Sequence, residues 1–111
     1  LPQLVGKGRA MEMIMTAGMI SAETAHQIGL VNHVVTQPEL VDFCNGIAQK
    51  IIKNSPMAIA QAIIAVNANF KDGVNGFDTE IKGFGECFGT EDFKEGTTAF
   101  LEKRKAEFSG K

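Results

Sequence analysis

A chain of 111 residues holds one domain or part of one, and its 44% apolar and 22% charged residues lie close to those of ordinary globular chains. The net charge of −2 offers no general electrostatic grip on nucleic acid or on an acidic membrane surface. No apolar run approaches the roughly 18 residues of a membrane span, so neither nucleic acid nor membrane is an expected partner.

The chain opens on Leu1-Pro2-Gln3, with no initiator Met and no basic-then-apolar leader, and is expected to be a segment of a longer protein. Residues 9–17 put Met11, Ile14 and Met15 on one side of a first helix, with Gly18 as its left-handed terminator. Ser21 suits the N-cap of a short helix over 22–28. Gly29 stands at the left-handed position after it, and Leu30 is placed to fold back on Ala25. Leu30 to Val35 is the one strand-like stretch, expected to be a connector or to pair with a segment outside this chain. Thr36 and Glu39 have the spacing of a capping box, and Val35 and Leu40 that of a hydrophobic staple. They introduce a helix over 38–53 with Leu40, Cys44, Ile47 and Ile51 on one stripe.

Ser55 and Pro56 begin the next helix, 57–70, as N-cap and first-turn residue. This helix carries no charged residue and is expected to be buried on most sides. A helix over 74–89 follows, with Val74, Phe77, Ile81, Phe84 and Phe88 in one stripe. Gly83 and Gly85 weaken it, by about 1 kcal/mol each relative to Ala, and permit a close helix crossing. Thr90 caps a last helix over 91–105, with Glu91 and Asp92 in the first turn, where the helix dipole favours anions. Its apolar stripe is Phe93, Phe100, Leu101 and Phe108. The fold class expected is all-α.

Cys44 and Cys87 form no CxxC pair and have no His cluster beside them, so no metal site is expected. Each is read as a buried free thiol, which suits a reducing compartment such as the cytoplasm. Glu12, Glu23, Glu39, Glu80, Glu86 and Glu91 fall on polar helix faces or at helix starts and are read as solvated or capping groups. His26 and His33 have no nucleophile or metal-spaced partner nearby and are read as non-catalytic. Arg104 and Lys105 read as a solvated basic face near a helix C-terminus. Phe100 and Lys103, at i and i+3, share one helix face. An aromatic ring beside a flexible cation can dock an adenine and a phosphate, while Phe100 read alone is equally a core residue.

Four stretches carry a family resemblance. They are Leu4 to Met13 (LVGKGRAMEM), Thr16 to Ala22 with Ala25 and Gly29-Leu30-Val31, Asn54-Ser55-Pro56 with Ala58, and Thr90 to Arg104 (TEDFKEG then AFLEKR). In order and spacing they resemble the enoyl-CoA hydratase/isomerase (crotonase) family across essentially the whole chain. The resemblance implies that residues 1–35 are the end of the crotonase core. Residues 36–111 would be the C-terminal helical domain, which serves oligomerisation and covers the substrate tunnel.

The resemblance further implies an enzyme that adds water to a trans-2-enoyl-CoA in fatty-acid β-oxidation. It would act as a homo-oligomer, a trimer or a dimer of trimers, on an acyl-CoA substrate. No cofactor is implied, since the CoA thioester is itself the activated group. The family's oxyanion hole and its two catalytic glutamates belong upstream of this segment, so no catalytic residue is assigned here and the chain alone is expected to be inactive. Phe100 and Lys103 match positions that contact the CoA nucleotide. Phe77, Ile81 and Phe84 either border the acyl pocket or simply pack. An isomerase or another acyl-CoA reaction of the family stays open. So does a free-standing helical module that holds a partner helix on the Val74–Phe88 stripe, a reading that the missing initiator Met disfavours.

Overall fold

The computed structural model describes all of Leu1–Lys111 and is all-helical, as the sequence leads one to expect, with seven α-helices and no strand. They are α1 (Pro2–Val5), α2 (Lys7–Thr16), α3 (Ala22–Gln27), α4 (Leu40–Ile51), α5 (Pro56–Ala68), α6 (Gly76–Cys87) and α7 (Glu91–Glu102), with a 3-10 turn at Gln37–Glu39. The residues fall into two compact units, Leu1–Cys44 and Asn45–Lys111.

In the first unit, α1 was not foreseen. Pro2 supplies the fixed φ of its first turn, and Gly6 at φ 85° turns the chain directly into α2. Val5, Ala10 and Ala25 are buried there. Helix α2 ends at Ala17, which itself takes the left-handed conformation at φ 49°, so the terminator is Ala17 and not Gly18. The ending of α3 follows its sequence signals closely. The Ser21 hydroxyl accepts from the Thr24 N–H at 3.1 Å. Gly29 lies at φ 76°, the Leu30 N–H donates to the Ala25 carbonyl at 2.8 Å, and the Gly29 N–H donates to that of His26 at 3.0 Å. Those two bonds are the Schellman pair. Residues 30–35 form no strand and serve as a connector.

The expected capping box is replaced by a different contact. The Thr36 hydroxyl donates to the Glu39 carboxylate at 2.5 Å, and no side chain caps a backbone N–H. With both side chains thus occupied, 37–39 tightens into a 3-10 turn and α4 proper starts at Leu40. It stops at Ile51, where the Asn54 amide donates to the Lys50 carbonyl at 3.0 Å.

In the second unit, Ser55 caps α5 by accepting the Ala58 N–H at 3.3 Å, with Pro56 at the first helical position. Helix α6 packs against α5, and the contact edge is made of small residues: Ala68, Gly76 and Gly83 are buried. A Cβ at Gly76 would overlap the Asn69 amide, and one at Gly83 would come within 2.9 Å of the Gln61 Oε1. Gly83 therefore does permit the close crossing. Gly85 faces open space, and Gly76 was not singled out in the sequence. At the far end of α6, Phe84, Phe88 and Phe93 form a chain of rings with centroids 5.0 and 4.5 Å apart, leading into α7. The Thr90 hydroxyl caps α7, accepting the Phe93 N–H at 3.0 Å.

Burial departs from the sequence expectation. Of the charge-free α5, only Ala68 is buried, while Ile63, Ile64 and Val66 are more than half exposed. The Phe77, Ile81 and Phe84 side chains of α6 are about 70% exposed, because α6 turns its small-residue edge to α5, leaving Phe77 and Ile81 away from it and Phe84 at the margin of the contact. Cys44 is exposed and Cys87 half-buried, both as free thiols. The buried-thiol expectation fails at Cys44 because the α4 stripe has too little cover within the chain, with Leu40 and Ile51 half exposed as well.

Candidate functional site

Helix α7 and the chain that returns from it hold the most organised polar structure of the protein. One face of α7 presents Asp92, Glu95 and Ala99, one turn apart. Asp92 is 2% exposed, yet every carboxylate oxygen is satisfied. The Ser55 hydroxyl donates to its Oδ2 at 2.6 Å, the Ser109 N–H to its Oδ1 at 2.7 Å, and the Gly110 N–H to both oxygens at 3.0 and 3.2 Å. The Asp92 N–H in turn donates to the Lys111 carbonyl at 3.0 Å. A carboxylate so surrounded is held charged. The Ser55 hydroxyl leads, the Ser109 and Gly110 N–H groups add to it, and burial opposes them, for a net pKa below the ordinary aspartate value. The sequence reading gave Asp92 only a dipole role. Its real function is to join the cap of α5, the start of α7 and the C-terminal tail.

Glu95 forms the second grip. The Arg104 guanidinium donates both of its terminal nitrogens to the two carboxylate oxygens, at 2.6 and 2.8 Å, and the Glu107 N–H donates to the same carboxylate at 2.8 Å. This forked arrangement is the strong form of an ion pair. With Arg104 first and the Glu107 N–H second, the Glu95 carboxyl is pulled down to about 2. The Arg104 Nε also donates to Glu102 at 2.7 Å, and the guanidinium is pushed above its ordinary value by Glu95 first and Glu102 second. Arg104 is thus a structural clamp, which corrects its reading as a solvated basic face.

Between these grips, α7 ends at Glu102 rather than at 105. Lys103 takes the left-handed conformation, φ 55° and ψ 37°. Its N–H donates to the Phe100 carbonyl at 3.3 Å, and the Arg104 N–H to that of Ala99 at 3.0 Å. A residue with a Cβ pays about 1–2 kcal/mol for this conformation. The two helix-terminal bonds offset this cost, and Arg104, the next residue, is further anchored on Glu95.

The other face of α7 is bare. Phe100 is 82% and Leu101 79% exposed, so the core reading of Phe100 does not hold within this chain. Phe93, Gly96, Thr97, Phe100 and Leu101 line an open, almost wholly apolar depression of about 450 Å³. Lys103 is not among its lining residues: it stands past the end of α7 in the left-handed turn, so the single helix face expected to carry Phe100 and Lys103 together is not formed, and the two are joined only through the turn's backbone. Phe108 leaves the expected stripe, for it packs toward Gly96, where a Cβ would meet its ring at 3.3 Å.

Two larger clefts lie in the same unit. One of about 540 Å³ runs between α5 and α6 and includes Ala62, Val66, Phe84, Cys87 and Phe93; Phe77 and Ile81 do not line it. The other, of about 810 Å³, lies between the end of α4, the start of α5 and the tail, with Lys53 and Lys105 among Ile52, Ile59 and Phe108. Neither cleft holds two convergent carboxylates. His26 sits with its Nδ1 3.3 Å from the Val31 carbonyl oxygen, and His33 edges onto Phe43 at 5.0 Å. Glu39, Glu86 and Glu91 bond to Thr36, Gln61 and Lys94. No three His, Cys, Asp or Glu side chains are grouped to hold a metal ion, and no helix is long and apolar enough to cross a membrane.

The helical arrangement is found in solved enoyl-CoA hydratases. One from Bacillus anthracis superposes with a TM-score of 0.92 at 38% identity, over 99% of this chain and 43% of that one. Another, from Geobacillus kaustophilus, gives 0.90 at 32% identity over 99% and 42%. The model of the family described as enoyl-CoA hydratase/isomerase matches residues 1–111, and the chain belongs to that family. Among curated relatives, it is 46% identical over 110 residues to a short-chain-enoyl-CoA hydratase of Clostridium acetobutylicum, covering 96% of this chain and 41% of that protein. It is 43% identical over 112 residues to a crotonyl-CoA hydratase of Syntrophomonas wolfei, covering 100% and 43%. The chain therefore spans about two fifths of the length of these relatives.

Proposed function

We propose that this chain is the C-terminal helical segment of an enoyl-CoA hydratase, and that it serves assembly and acyl-CoA binding while the chemistry is supplied from outside it. Identity above 40% to two proteins named as hydratases of short-chain or crotonyl-CoA thioesters carries the reading. The reaction adds water to a trans-2-enoyl-CoA and needs no metal or organic cofactor, because the thioester activates the double bond. Residues 1–35 belong with the catalytic core, and 36–111 form the segment that covers the substrate tunnel and joins subunits, in a trimer or a dimer of trimers. A cytoplasmic enzyme is the natural setting for two free thiols.

Phe100 and Lys103 take the CoA nucleotide in this reading. Phe100, 82% exposed beside the equally bare Leu101, offers a ring for stacking, and Lys103, whose backbone N–H bonds the Phe100 carbonyl, supplies a cation that suits a phosphate. Their work is remote binding, so in the intact enzyme Lys103→Ala is expected to raise KM for CoA substrates about five- to tenfold, the low range for a charged hydrogen bond at an exposed site, with kcat nearly unchanged. A truncated pantetheine thioester, which has no nucleotide, is expected to ignore the substitution. Equal losses on both thioesters would remove the nucleotide from this helix. Product analysis with trans-2-enoyl-CoA distinguishes the hydratase, which yields the 3-hydroxyacyl-CoA, from an isomerase, which shifts the double bond.

A further inference from the structure

Two acidic residues on one face of α7 hold the returning chain at separate points. Asp92 takes the Ser109 and Gly110 N–H groups, and Glu95 takes the Arg104 fork and the Glu107 N–H. Between α7 and these anchored residues lies Lys103, in the left-handed conformation that is unfavourable for a residue with a Cβ. Arg104 follows it directly, with its backbone N–H on Ala99 and its guanidinium on Glu95 and Glu102. The Lys103 backbone is held by the helix-terminal pair of bonds to the Phe100 and Ala99 carbonyls, and the Glu95 side chain, two turns back along the helix, adds a tie to the residue that follows it. Neither Glu95 nor Arg104 lines the depression beside Phe100.

We propose that Glu95, through its two-point grip on Arg104, is a positioning residue that fixes the turn carrying Lys103 for contact with the anionic end of the CoA nucleotide. This rests on the reading of Lys103 as a nucleotide contact. Glu95 touches no substrate and acts only through Arg104. The two-point geometry matters as well as the charge, because a single ammonium cannot hold both Glu95 oxygens as the planar fork does and ties the turn less firmly. A purely stabilising ion pair would behave differently: its loss would weaken the fold without favouring one substrate over another.

The test is a double-mutant cycle in the intact enzyme, comparing a full-length CoA thioester with a truncated pantetheine thioester. Glu95→Gln is expected to raise KM for the CoA thioester about three- to tenfold, bounded by the Lys103 contact it serves, and to leave the truncated thioester unchanged. Adding Glu95→Gln to Lys103→Ala is expected to produce no further loss, since the contact being positioned is already gone. Arg104→Lys, which keeps the charge and loses the fork, is expected to repeat the Glu95→Gln pattern, and it carries the same comparison where Glu95→Gln fails to fold. If Lys103→Ala is selective for the CoA thioester but the other variants lose equally on both substrates, or add to Lys103→Ala, the positioning role is overturned and the nucleotide reading stands. If Lys103→Ala is itself unselective, the nucleotide reading falls and this proposal with it.

Discussion

The exposed apolar faces make a quantitative prediction about association. The chain exposes 8893 Å². A folded monomer of its 11.9 kDa mass is expected to expose about 5,900 Å². Treated as two independent bodies of 44 and 67 residues, it would still expose only about 7,100 Å². At least about 1,700 Å² thus lies uncovered, as much as a standard interface removes in total from both of its partners. Much of it is apolar, as with Ile63, Val66, Phe77, Ile81 and Phe84.

The chain is therefore predicted to self-associate in solution, and Ile81→Lys is the perturbation that probes the α6 stripe. Ile81 is 71% exposed, so covering it removes most of its side chain from water. Of the roughly 1.5–3 kcal/mol for full burial, about 1–2 kcal/mol is lost at each contact, or about five- to thirtyfold in association. Sedimentation equilibrium over a concentration series reads this directly. Since Ile81 meets little within its own chain, the melting of the dilute protein should barely change. A monomer at all concentrations would refute the reasoning. An oligomer indifferent to Ile81→Lys would show that the α6 stripe is not the surface used.

Within the second unit, Gly76→Ala should destabilise by about 1–3 kcal/mol in denaturant melts, because the short Asn69 side chain has little room to yield. Gly83→Ala should be close to neutral. A gain of about 1 kcal/mol in helix propensity offsets loss of the Gln61–Glu86 hydrogen bond at about 0.5–1.5 kcal/mol. Acid should loosen the tail. The Glu95 carboxyl is held to about 2 in the fold against an ordinary 4.5, and Asp92 is shifted in the same direction from 3.8. Their contribution is complete above about pH 4.5 and fades as the pH falls toward about 2. Melting temperatures taken from pH 5 to pH 2 should drop through that window, less steeply in Glu95→Gln, and an equal slope in the variant would contradict the assignment.

What could be read from the sequence follows the range of the interactions. As helix caps, Ser21, Ser55 and Thr90 act within three residues of themselves, and Gly29 acts through its own φ, so those roles are legible. The capping box at Thr36 and Glu39 failed because two polar side chains at that spacing can bond to each other as well as to the backbone. Periodicity located the phenylalanine stripe of α6 but could not say which face α5 would cover. That was decided by Gly76 and Gly83, whose lack of side chains allows close approach. Asp92 was illegible because its partners, Ser55 and Ser109-Gly110, lie 37, 17 and 18 residues away. The small, polar Ser109-Gly110 pair, able to offer bare N–H groups, was the one available hint. Arg104 was misjudged for the same reason, its Glu95 partner becoming reachable only once the chain reverses at Lys103.

The most direct test of the division between assembly and chemistry is turnover of crotonyl-CoA by the intact protein and by the 111-residue chain alone, each followed through purification. Hydration is expected of the intact protein and none of the chain alone, because the chain brings no convergent pair of acid–base groups to a cleft, and positioned acid–base groups with charge stabilisation supply most of such a rate. Turnover that tracks the pure 111-residue chain, fraction by fraction, would contradict this division.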